Sequence, residues 1–192
     1  VFERVLVAVG RRPNSRDLGL EKDTLVVFTA DQGWAGGQHG IWGMGDHTRP
    51  LTAFDEELQI PMIWRQPGRI SAGKTSDALL SNYDFLPTLL SYLGIQDKLP
   101  PPGRDFTPAL RGETLPGEQE VFYEFENTRA IRTPDWKLVL RRFPKGPDEL
   151  YDLQADAGET RNLADDPAHC ATRDGLTGRL ENFFNRVADP QY

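Results

Sequence analysis

The loop between residues 31 and 50 holds the side chains of this sequence that are best suited to chemistry. Asp31 and Gln32 are adjacent oxygen donors, which suit a hard cation such as Ca²⁺ or Mg²⁺ better than zinc or copper. The alternative is a turn in which Asp31 accepts hydrogen bonds from nearby backbone N–H groups. Two side chains do not complete a calcium site, because Ca²⁺ takes about six to eight oxygen ligands.

Two histidines and an arginine follow in the same glycine-rich loop. His39 and His47 are separated by seven residues, and Arg49 comes just before Pro50. An imidazole can donate to an anionic oxygen or protonate a leaving group, and a guanidinium adds a fixed positive fork. These residue types predict an anion site with His47 as the catalytic residue and His39 and Arg49 as substrate contacts. The alternative is structural: His39 braces the loop, and Asp46 forms a surface pair with Arg49.

Other residues near this loop are interpreted as structural. Trp34 and Trp42 either line a pocket or seal the edge of a core, and neither is given a site role. Residues 55–57 are three consecutive acids, which are interpreted as a solvated helix face because consecutive side chains point in different directions. His169 lies in an Asp-rich stretch and is interpreted as solvated surface.

The segments around the loop predict an α/β core. Residues 24–30 are a β-prone run, expected to form a strand buried on both faces of a parallel or mixed sheet. In open α/β sheets, ligands bind in loops at the carboxyl ends of such strands. Residues 51–59 are predicted to form a short helix, and residues 61–64 a second core strand.

A longer helix is predicted over residues 82–93. Asn82 is its expected N-cap and Gly94 its expected end. Five apolar residues recur at helical spacing and are expected to face the core together. They are Phe85, Leu86, Leu89, Leu90 and Leu93.

Composition changes after residues 99–103, a Pro-rich stretch predicted to separate two domains. Four short β-prone runs and a final helix over residues 176–187 then predict a small antiparallel sheet with one helix. The runs are residues 121–125, 129–132, 136–142 and 149–153. The predicted organisation is an atypical segment over residues 1–22, a first domain over 23–100 and a second over 101–192.

Bulk composition excludes several classes of partner. The net charge of −7 opposes non-specific binding to nucleic acid or to anionic membranes. No apolar run approaches the roughly 18 residues of a membrane span, and the first residues lack a signal-peptide pattern. Cys170 is the single cysteine, so the chain forms no intrachain disulfide and has no paired zinc spacing. The cellular compartment is unknown from these features.

Five motifs in a fixed order resemble the C-terminal portion of the sulfatases in the alkaline phosphatase superfamily. The resemblance implies an alkaline phosphatase-like mixed sheet with helices, followed by the small antiparallel subdomain. It also maps Asp31 and Gln32 onto the family's ligands for a divalent cation, usually Ca²⁺. The motifs are residues 23–33, 37–45, 60–68, 83–94 and 149–153, with Glu159 and the pair 162–163 behind them.

By the same resemblance, the substrate is a sulfate ester, either a sulfated sugar or an aryl sulfate, and the nucleophile is a cation-bound formylglycine. Many members carry a lysine after the Trp-Gly pair, but Met44 stands there in this sequence. His47 or Arg49 is expected to replace that lysine. A phosphodiesterase or phosphonate monoester hydrolase of the same superfamily is the close alternative, because its cation-binding loop looks similar.

Two parts of the family pattern do not occur here in their expected places. These are the Cys/Ser-x-Pro-x-Arg motif that gives rise to formylglycine and an Asp-Asp pair near the N-terminus. Cys170 is followed by Ala-Thr-Arg and does not fit the motif. The sequence therefore predicts a fragment that lacks the N-terminal half, supplies half of the cation site and the sulfate-binding loop, and is inactive alone. A non-catalytic remnant is the alternative from another class.

Residues 1–22 resemble a segment of dihydrolipoamide dehydrogenase-like flavoproteins, which suggests a chimeric junction. The alternative is coincidence, with a strand over residues 5–9 and a turn over residues 10–14. A flavin-linked oxidoreductase is the weakest hypothesis, because the sequence has no Gly-x-Gly-x-x-Gly fingerprint and no redox cysteine pair.

Overall fold

The structure is a computed structural model that describes residues 24–96, 102–142 and 145–187 together with the backbone of Val5–Val7. The chain divides into two compact units. The first consists of Val1–Gly33 and Gln59–Glu118, and the second of Trp34–Leu58 and Gln119–Tyr192.

The described residues form ten strands, four α-helices and three 3₁₀ turns. The strands are β1 (Val5–Val7), β2 (Val26–Thr29), β3 (Ala35–Gly36), β4 (Trp42–Gly43), β5 (Met62–Arg65), β6 (Lys74–Ser76), β7 (Val121–Phe125), β8 (Thr128–Arg132), β9 (Trp136–Arg141) and β10 (Glu149–Asp152). The α-helices are α1 (Asp55–Leu58), α2 (Phe85–Leu93), α3 (Thr107–Leu110) and α4 (Cys170–Val187). The 3₁₀ turns are Gln38–Gly40, Asn82–Asp84 and Pro167–His169.

The first unit is built on a mixed sheet in the order β2-β5-β1-β6. β1 runs parallel to β5 and antiparallel to β6, and β2 runs antiparallel to β5. Parallel and antiparallel pairs therefore occur in the same sheet. This is the mixed sheet that the α/β prediction allowed. The strands predicted around residues 24–30 and 61–64 are confirmed as β2 and β5.

Trp64 on β5 is the centre of the core of the first unit. Its side chain is fully buried, and its ring packs against Phe85, Tyr92 and Phe106 at centroid distances of 5.5 to 5.8 Å. Edge contacts of this kind add to the stabilisation from burial alone. The sheet, α2 and the segment that leads into α3 are thus held to one aromatic cluster.

The expectation that β2 is buried on both faces is wrong. β2 lies at the edge of the sheet, and Phe28 keeps 60% of its surface exposed. A continuous apolar run predicts burial only where a neighbouring strand and a covering layer are both present. In the described residues, β2 has a neighbouring strand on its β5 side alone.

The predicted helix over residues 82–93 is present but differs at its start. Ser81, not Asn82, is the N-cap residue, and residues 82–84 form a 3₁₀ turn. Gly94 ends the helix with φ of 73°, as predicted. Leu86 and Leu93 are 50% and 54% exposed, so the prediction that all five apolar residues face the core is wrong for these two.

The second unit contains an antiparallel sheet in the order β10-β9-β8-β7, which confirms the predicted subdomain. α4 begins at Cys170, earlier than the predicted residue 176, and buries Leu176, Leu180, Phe183 and Phe184. The ring of Phe183 stacks on Phe122 of β7 at 3.8 Å. No described helix is long and apolar enough to cross a membrane.

Two smaller predictions about the second unit need correction. The helix predicted over residues 51–59 is limited to α1, because residues 51–54 and Gln59 have no regular secondary structure. His169 is half-buried and lies 5.4 Å from the ring of Trp136, so it is not a solvated side chain. An aromatic partner distant in sequence leaves no local pattern that would predict this contact.

Some predicted boundaries fall outside the described residues. The atypical segment over residues 1–22 is described only at Val5–Val7, which form a strand within the predicted range of residues 5–9. The chimeric junction and the coincidence alternative both stay predictions. The proposed boundary near residue 100 lies in residues 97–101, which are outside the described part of the chain. The three-part domain division therefore stays a prediction.

Asp84 is the buried polar anchor of the first unit. Its side chain is fully buried, and its two oxygens accept hydrogen bonds from the backbone N–H groups of Ser81 at 2.9 Å and of Arg104 at 2.8 Å. The guanidinium of Arg104 lies 3.3 Å from the same carboxylate. One carboxylate thus fixes the start of α2 against the segment before α3.

We expect Asp84→Ala to lower the free energy of unfolding by about 3 kcal/mol, because it leaves buried donors without an acceptor. Urea denaturation followed by circular dichroism measures the change. Ser91→Ala, at an exposed position on α2, serves as the control and should change stability by less than about 0.5 kcal/mol. Equal stability of the two variants would show that Asp84 does not hold the unit together.

Candidate functional site

The predicted cation ligands lie directly after β2. Asp31 and Gln32 are both exposed. Oδ1 of Asp31 accepts a hydrogen bond from the backbone N–H of Gln32 at 2.9 Å, which is the contact that the turn alternative requires. The backbone carbonyl of Asp31 accepts a hydrogen bond from the side-chain amide of Asn82 at 2.9 Å. The end of β2 is therefore tied to the 3₁₀ turn before α2.

The donor types at this position fit a hard cation, but their number is small. Asp31 and Gln32 offer oxygen atoms, which are the ligands that Ca²⁺ and Mg²⁺ prefer. Among residues 24–96, 102–142 and 145–187, no group of three or more His, Cys, Asp or Glu side chains is arranged to hold a metal ion. The two residues fit one part of a calcium coordination shell and leave most of it to other ligands.

β3 and β4 form a short hairpin whose turn carries His39. Ala35 pairs with Gly43, and Gly36 pairs with Trp42. The backbone of His39 is left-handed, with φ of 53°. A non-glycine residue in this conformation costs on the order of 1 kcal/mol, so the contacts of the His39 side chain must hold it there.

The imidazole of His39 is packed rather than open. It stacks on Phe54 with ring centroids 3.6 Å apart and planes 3° from parallel, and its Nε2 lies 3.5 Å from Oε2 of Glu56. Only 15% of the His39 side chain is exposed. These contacts fit the alternative in which His39 braces the loop, and its role as a substrate contact stays a prediction.

His47 is more accessible and is positioned by a glycine. Its side chain is 55% exposed, and its Nδ1 lies 3.3 Å from Oδ1 of Asp46. The ring rests on the backbone of Gly43, where an added Cβ would come within 2.5 Å of Cε1 of His47. Gly43 also has φ of 139°, so this position needs glycine both for its conformation and for the close approach of the ring.

The guanidinium of Arg49 is held by hydrogen bonds through Nη1, while most of the side chain is exposed. Its Nη1 donates to the carbonyl oxygens of Asp46 at 3.1 Å and Thr48 at 2.6 Å, while its side chain is 65% exposed. Nη2 lies 3.9 Å from Oε1 of Glu126, a distance at which an exposed pair contributes little to stability. Arg49 also borders a cavity of about 340 Å³. The cavity is lined by Arg49, Pro50, Leu51, Glu126, Asn127, Lys145 and Gly146.

The five predicted site residues fall in different units. Asp31 and Gln32 belong to the first unit, and His39, His47 and Arg49 belong to the second. Within the second unit, His39, His47 and Arg49 lie on one continuous loop, residues 34–58, that packs with the C-terminal sheet. The structure thus groups the anion-binding candidates on a loop supported by residues from the other end of the chain.

The acidic run over residues 55–57 was expected to be solvated, and that expectation is wrong for two of its members. Asp55 is 9% exposed and Glu57 is 1% exposed. Lys137 on β9 is fully buried, with its Nζ 2.7 Å from Oδ1 of Asp55 and 2.8 Å from Oε1 of Glu159. The backbone N–H of Asp55 also donates to Oε2 of Glu159 at 2.6 Å.

Arg132 completes this ion cluster of Asp55, Lys137, Glu159 and Arg132. Its Nη2 lies 3.3 Å from Oδ2 of Asp55. Oε1 of Glu159 faces Lys137 at ion-pair distance without the geometry of a hydrogen bond. Two carboxylates and two cations are therefore held together where water is largely excluded, and each charge requires the others.

The two carboxylates of the cluster have pKa values shifted in opposite directions. Burial raises the pKa of Asp55, but the charges and hydrogen bonds of Lys137 and Arg132 outweigh it, so that the pKa falls below the ordinary 3.8. Burial and the charge of Asp55 raise the pKa of Glu159 above the ordinary 4.5, although Lys137 opposes them. On acidification, Glu159 therefore takes up a proton before Asp55 does.

Glu57 connects the cluster to the anion-binding loop. Its Oε1 accepts a hydrogen bond from Thr52 at 2.8 Å, and its Oε2 accepts one from the backbone of Phe54 at 3.1 Å. An added Cβ at Gly45 would meet the carboxylate of Glu57 at 2.8 Å, so the loop backbone passes directly over it. Burial raises the pKa of Glu57, and its two hydrogen bonds partly offset this rise.

A signal for the ion cluster is present in the sequence of β9. Lys137 and Arg141 are four positions apart in a strand whose other residues are mainly apolar, so both cations lie on the same face. Both are buried, and Arg141 donates through Nε to the carbonyl of Leu51 at 2.9 Å and pairs with Glu149 at 2.8 Å. Buried cations require acceptors, so this strand indicates that carboxylates pack against it, but its spacing does not identify the acidic run as their source.

Comparison with known proteins places these features in a family. A family model described as N-sulphoglucosamine sulphohydrolase, C-terminal, matches residues 40–186. The chain belongs to this family. The resemblance to the C-terminal portion of sulfatases is confirmed, whereas the flavoprotein resemblance of residues 1–22 is not shown by these matches.

Individual relatives agree with this assignment. The N-acetylglucosamine-6-O-sulfatase of Bacteroides thetaiotaomicron is 31% identical over 194 residues, which cover 94% of this chain and 34% of that protein. A solved structure of a protein in complex with its substrate D-glucosamine-2-N,6-O-disulfate matches with a TM-score of 0.79 and 28% identity, over 92% of this chain and 37% of that one.

A second solved structure belongs to a different class of hydrolase. The phosphonate monoester hydrolase of Agrobacterium radiobacter matches with a TM-score of 0.76 and 26% identity, over 89% of this chain and 37% of that one. These structures confirm the predicted alkaline phosphatase-like fold. The chain spans about a third of the length of the curated relatives that it matches.

We expect Lys137→Met to lower the free energy of unfolding at pH 7 by about 3–5 kcal/mol, because two buried carboxylates lose their shared cation. The loss should shrink as the pH falls toward 4.5, because Glu159 has the raised pKa and its protonation removes the repulsion from Asp55. Urea denaturation at pH 7 and pH 5 measures both effects.

Lys145→Met is the matched control, since Lys145 is an exposed lysine of the same unit. It should change stability by less than about 0.5 kcal/mol at either pH. A Lys137→Met variant as stable as this control would rule out the ion cluster as a main support of the second unit.

Proposed function

We propose that this chain supplies one side of the active site of a sulfuric ester hydrolase. The observation that carries the proposal is the pairing of exposed His47 and anchored Arg49 on the glycine-rich loop of a chain that belongs to a sulfatase family. Both side chains donate hydrogen bonds, and neither is enclosed. In a chain of net charge −7, the guanidinium of Arg49 places positive charge where an anion can reach it.

Arg49 is proposed to bind sulfate oxygens. Its Nη1 is held by two backbone carbonyls, so the guanidinium is positioned before any ligand arrives. A planar fork of donors matches the geometry of an oxyanion. The distant contact with Glu126 is weak enough to be exchanged for a bound sulfate.

His47 is proposed as the catalytic proton donor. Asp46 lies on the Nδ1 side of its ring, which leaves Nε2 directed away from that carboxylate. A protonated imidazole can give its proton to the oxygen that leaves when an ester bond breaks. Gly43 fixes the plane of the ring by direct contact, which limits the directions in which that proton is offered.

Asp31 and Gln32 are proposed as ligands of a divalent cation, Ca²⁺ or, alternatively, Mg²⁺. Their oxygen donors fit such an ion, and the hydrogen bond from Asn82 holds the backbone that carries them. When bound, the cation supplies positive charge that offsets negative charge developing on the ester group. The residues present provide part of the shell, so further ligands are required.

The proposed substrate is a sulfated sugar, with an aryl sulfate as the alternative. Support comes from the relatives: one is named as an N-acetylglucosamine-6-O-sulfatase, and one solved structure holds a glucosamine disulfate. We further propose that the chain alone does not turn over substrate. The absence of a Cys/Ser-x-Pro-x-Arg motif from the sequence supports this, because the family's nucleophile arises there.

A phosphonate or phosphate ester hydrolase is the second candidate. The match to a phosphonate monoester hydrolase supports it, and so does Met44, which stands where many sulfatases carry a lysine. A non-catalytic remnant is the third candidate, and measured turnover by this chain would refute it. Binding of sulfate against methylphosphonate separates the first two.

We expect the chain to bind Ca²⁺ weakly, with a dissociation constant on the order of 10⁻⁴ to 10⁻³ M, because only part of the coordination shell is present. Asp31→Ala should abolish the heat of binding in a calorimetric titration. Asp77→Ala, at another exposed acid of the first unit, is the control and should leave binding unchanged. Binding that survives Asp31→Ala would place the cation elsewhere.

We expect inorganic sulfate to shift the NMR signals of His47 and Arg49, and Arg49→Gln to weaken sulfate binding about tenfold, because a charge-assisted hydrogen bond is lost. Arg142→Gln, at an exposed arginine of the same unit, is the control. Tighter binding of methylphosphonate than of sulfate would favour the second candidate. Hydrolysis of an aryl sulfate by the chain would contradict the proposal that it is inactive alone.

A further inference from the structure

The cavity beside Arg49 is built from three separate segments of the second unit. They are residues 49–51 of the glycine-rich loop, residues 126–127 of the turn between β7 and β8, and residues 145–146 before β10. The cavity has a volume of about 340 Å³. Small-molecule pockets usually have volumes of about 300 to 1,000 Å³. The space is therefore sufficient for an ester group and part of the molecule that carries it.

Backbone contacts hold the walls of this cavity in place. Arg141 is 1% exposed, and its Nε donates to the carbonyl of Leu51 at 2.9 Å. Its side chain also packs against Gly146, where an added Cβ would come within 2.6 Å of Cδ of Arg141. The backbone N–H of Arg142 donates to the carbonyl of Asn127 at 2.9 Å. All three segments are thus fixed before a ligand arrives, and a preformed site loses little free energy to ordering when it binds.

The cavity is bordered by two cations and one carboxylate. Nη1 of Arg49 is occupied by two backbone carbonyls, and Nη2 lies 3.9 Å from Oε1 of Glu126. Lys145 is exposed, and its ammonium has no ion-pair partner among the residues that the structure describes. Two positive charges therefore face one negative charge, in a chain whose net charge is −7. A local excess of positive charge of this kind attracts an anion.

We propose that Lys145 is a second binding residue for the anionic group of the substrate, which lies in this cavity between the ammonium of Lys145 and Nη2 of Arg49. The inference rests on the proposed function and deepens it, because that function assigns a single cation to the sulfate oxygens. A tetrahedral oxyanion presents oxygens in several directions, so cations on different segments can contact it together. Lys145 brings three donors on a flexible stem, which adapts to an anion that the planar fork of Arg49 has oriented.

Glu126 competes with the bound anion in this arrangement. Its carboxylate is 54% exposed and too far from Arg49 for a hydrogen bond, so a ligand displaces it at little cost. Its backbone is left-handed, with φ of 49°. Two-residue turns that need a positive φ favour glycine or asparagine, so the turn itself gives no reason for a glutamate. The effect of Glu126 on the cavity is to place a negative charge where the anion binds.

Titration with two anions tests the cavity. Inorganic sulfate and acetate are added to the labelled chain at constant ionic strength, and the side-chain signals of His47, Arg49 and Lys145 are followed by NMR. We expect sulfate to shift Arg49 and Lys145 along one binding curve, because both contact the same ion. Acetate carries less charge and fewer oxygens and should bind at least about fivefold more weakly. Equal or tighter binding of acetate would overturn the assignment of a sulfate group to the cavity.

Substitution of Lys145 tests its part directly. Lys145→Met should weaken sulfate binding by about 3- to 10-fold, and Lys145→Arg should keep most of the affinity, because the charge remains. Lys145 is exposed, so the loss in Lys145→Met reports binding and not unfolding. Lys74→Met, at an exposed lysine of the first unit, removes the same charge and should leave sulfate binding unchanged.

Substitution of Glu126 should have the opposite effect. Glu126→Gln removes the competing carboxylate and should tighten sulfate binding by about 2- to 5-fold. Glu124→Gln is the matched control, since Glu124 lies on β7 of the same hairpin and pairs with Arg129 instead of bordering the cavity. Weaker sulfate binding by Glu126→Gln than by this control would contradict the competition.

The outcomes separate this inference from the function on which it rests. If sulfate shifts His47 and Arg49 but Lys145→Met binds it as tightly as the native chain, the inference about Lys145 is wrong and the proposed function stands. If Lys145→Met and Glu126→Gln change the affinity in opposite directions while His47 does not respond to sulfate, the cavity stands and the proposed role of His47 is wrong. If sulfate shifts neither Arg49 nor Lys145, both are wrong.

Discussion

Lys137 lies out of contact with water between the carboxylates of Asp55 and Glu159, and the second unit depends on this arrangement. A charge removed from water costs several kcal/mol unless opposite charges and hydrogen bonds replace the solvent. The three residues come from the end of the glycine-rich loop, the middle of the sheet and the segment after β10. Each of these side chains can be buried only when the other two are beside it. The cluster therefore fixes the position of the loop on the sheet.

This arrangement matters for function because it fixes residues 51–54, the base of the loop, and leaves His47 and Arg49, at its tip, exposed. At the base, Glu57 and Arg141 bind backbone and hydroxyl groups of residues 51–54 with both side chains buried. At the tip, His47 and Arg49 remain more than half exposed. Binding residues are commonly carried on loops that a rigid scaffold positions, and here the scaffold is the C-terminal sheet.

The features that could be predicted from the sequence are those that depend on neighbouring residues along the chain. The strands around β2 and β5, the end of the helix at Gly94 and the antiparallel C-terminal sheet follow from β-prone runs, helical spacing and turn residues. Ordered motifs were enough to predict the family. The burial of Asp55 was missed because its partners Lys137 and Glu159 lie 82 and 104 positions away, and no local pattern reports an ion pair across that separation.

The edge position of β2 has a consequence for how the chain behaves in solution. Its free side presents a row of backbone donors and acceptors with no strand to receive them among the described residues. Natural edges are usually protected by a lysine, a proline or a bulge, and the sequence Val-Val-Phe-Thr of β2 contains no charge and no proline. With Phe28 exposed on the same strand, this edge combines a free row of backbone groups with an apolar side chain, the two features that favour pairing with a further β-strand.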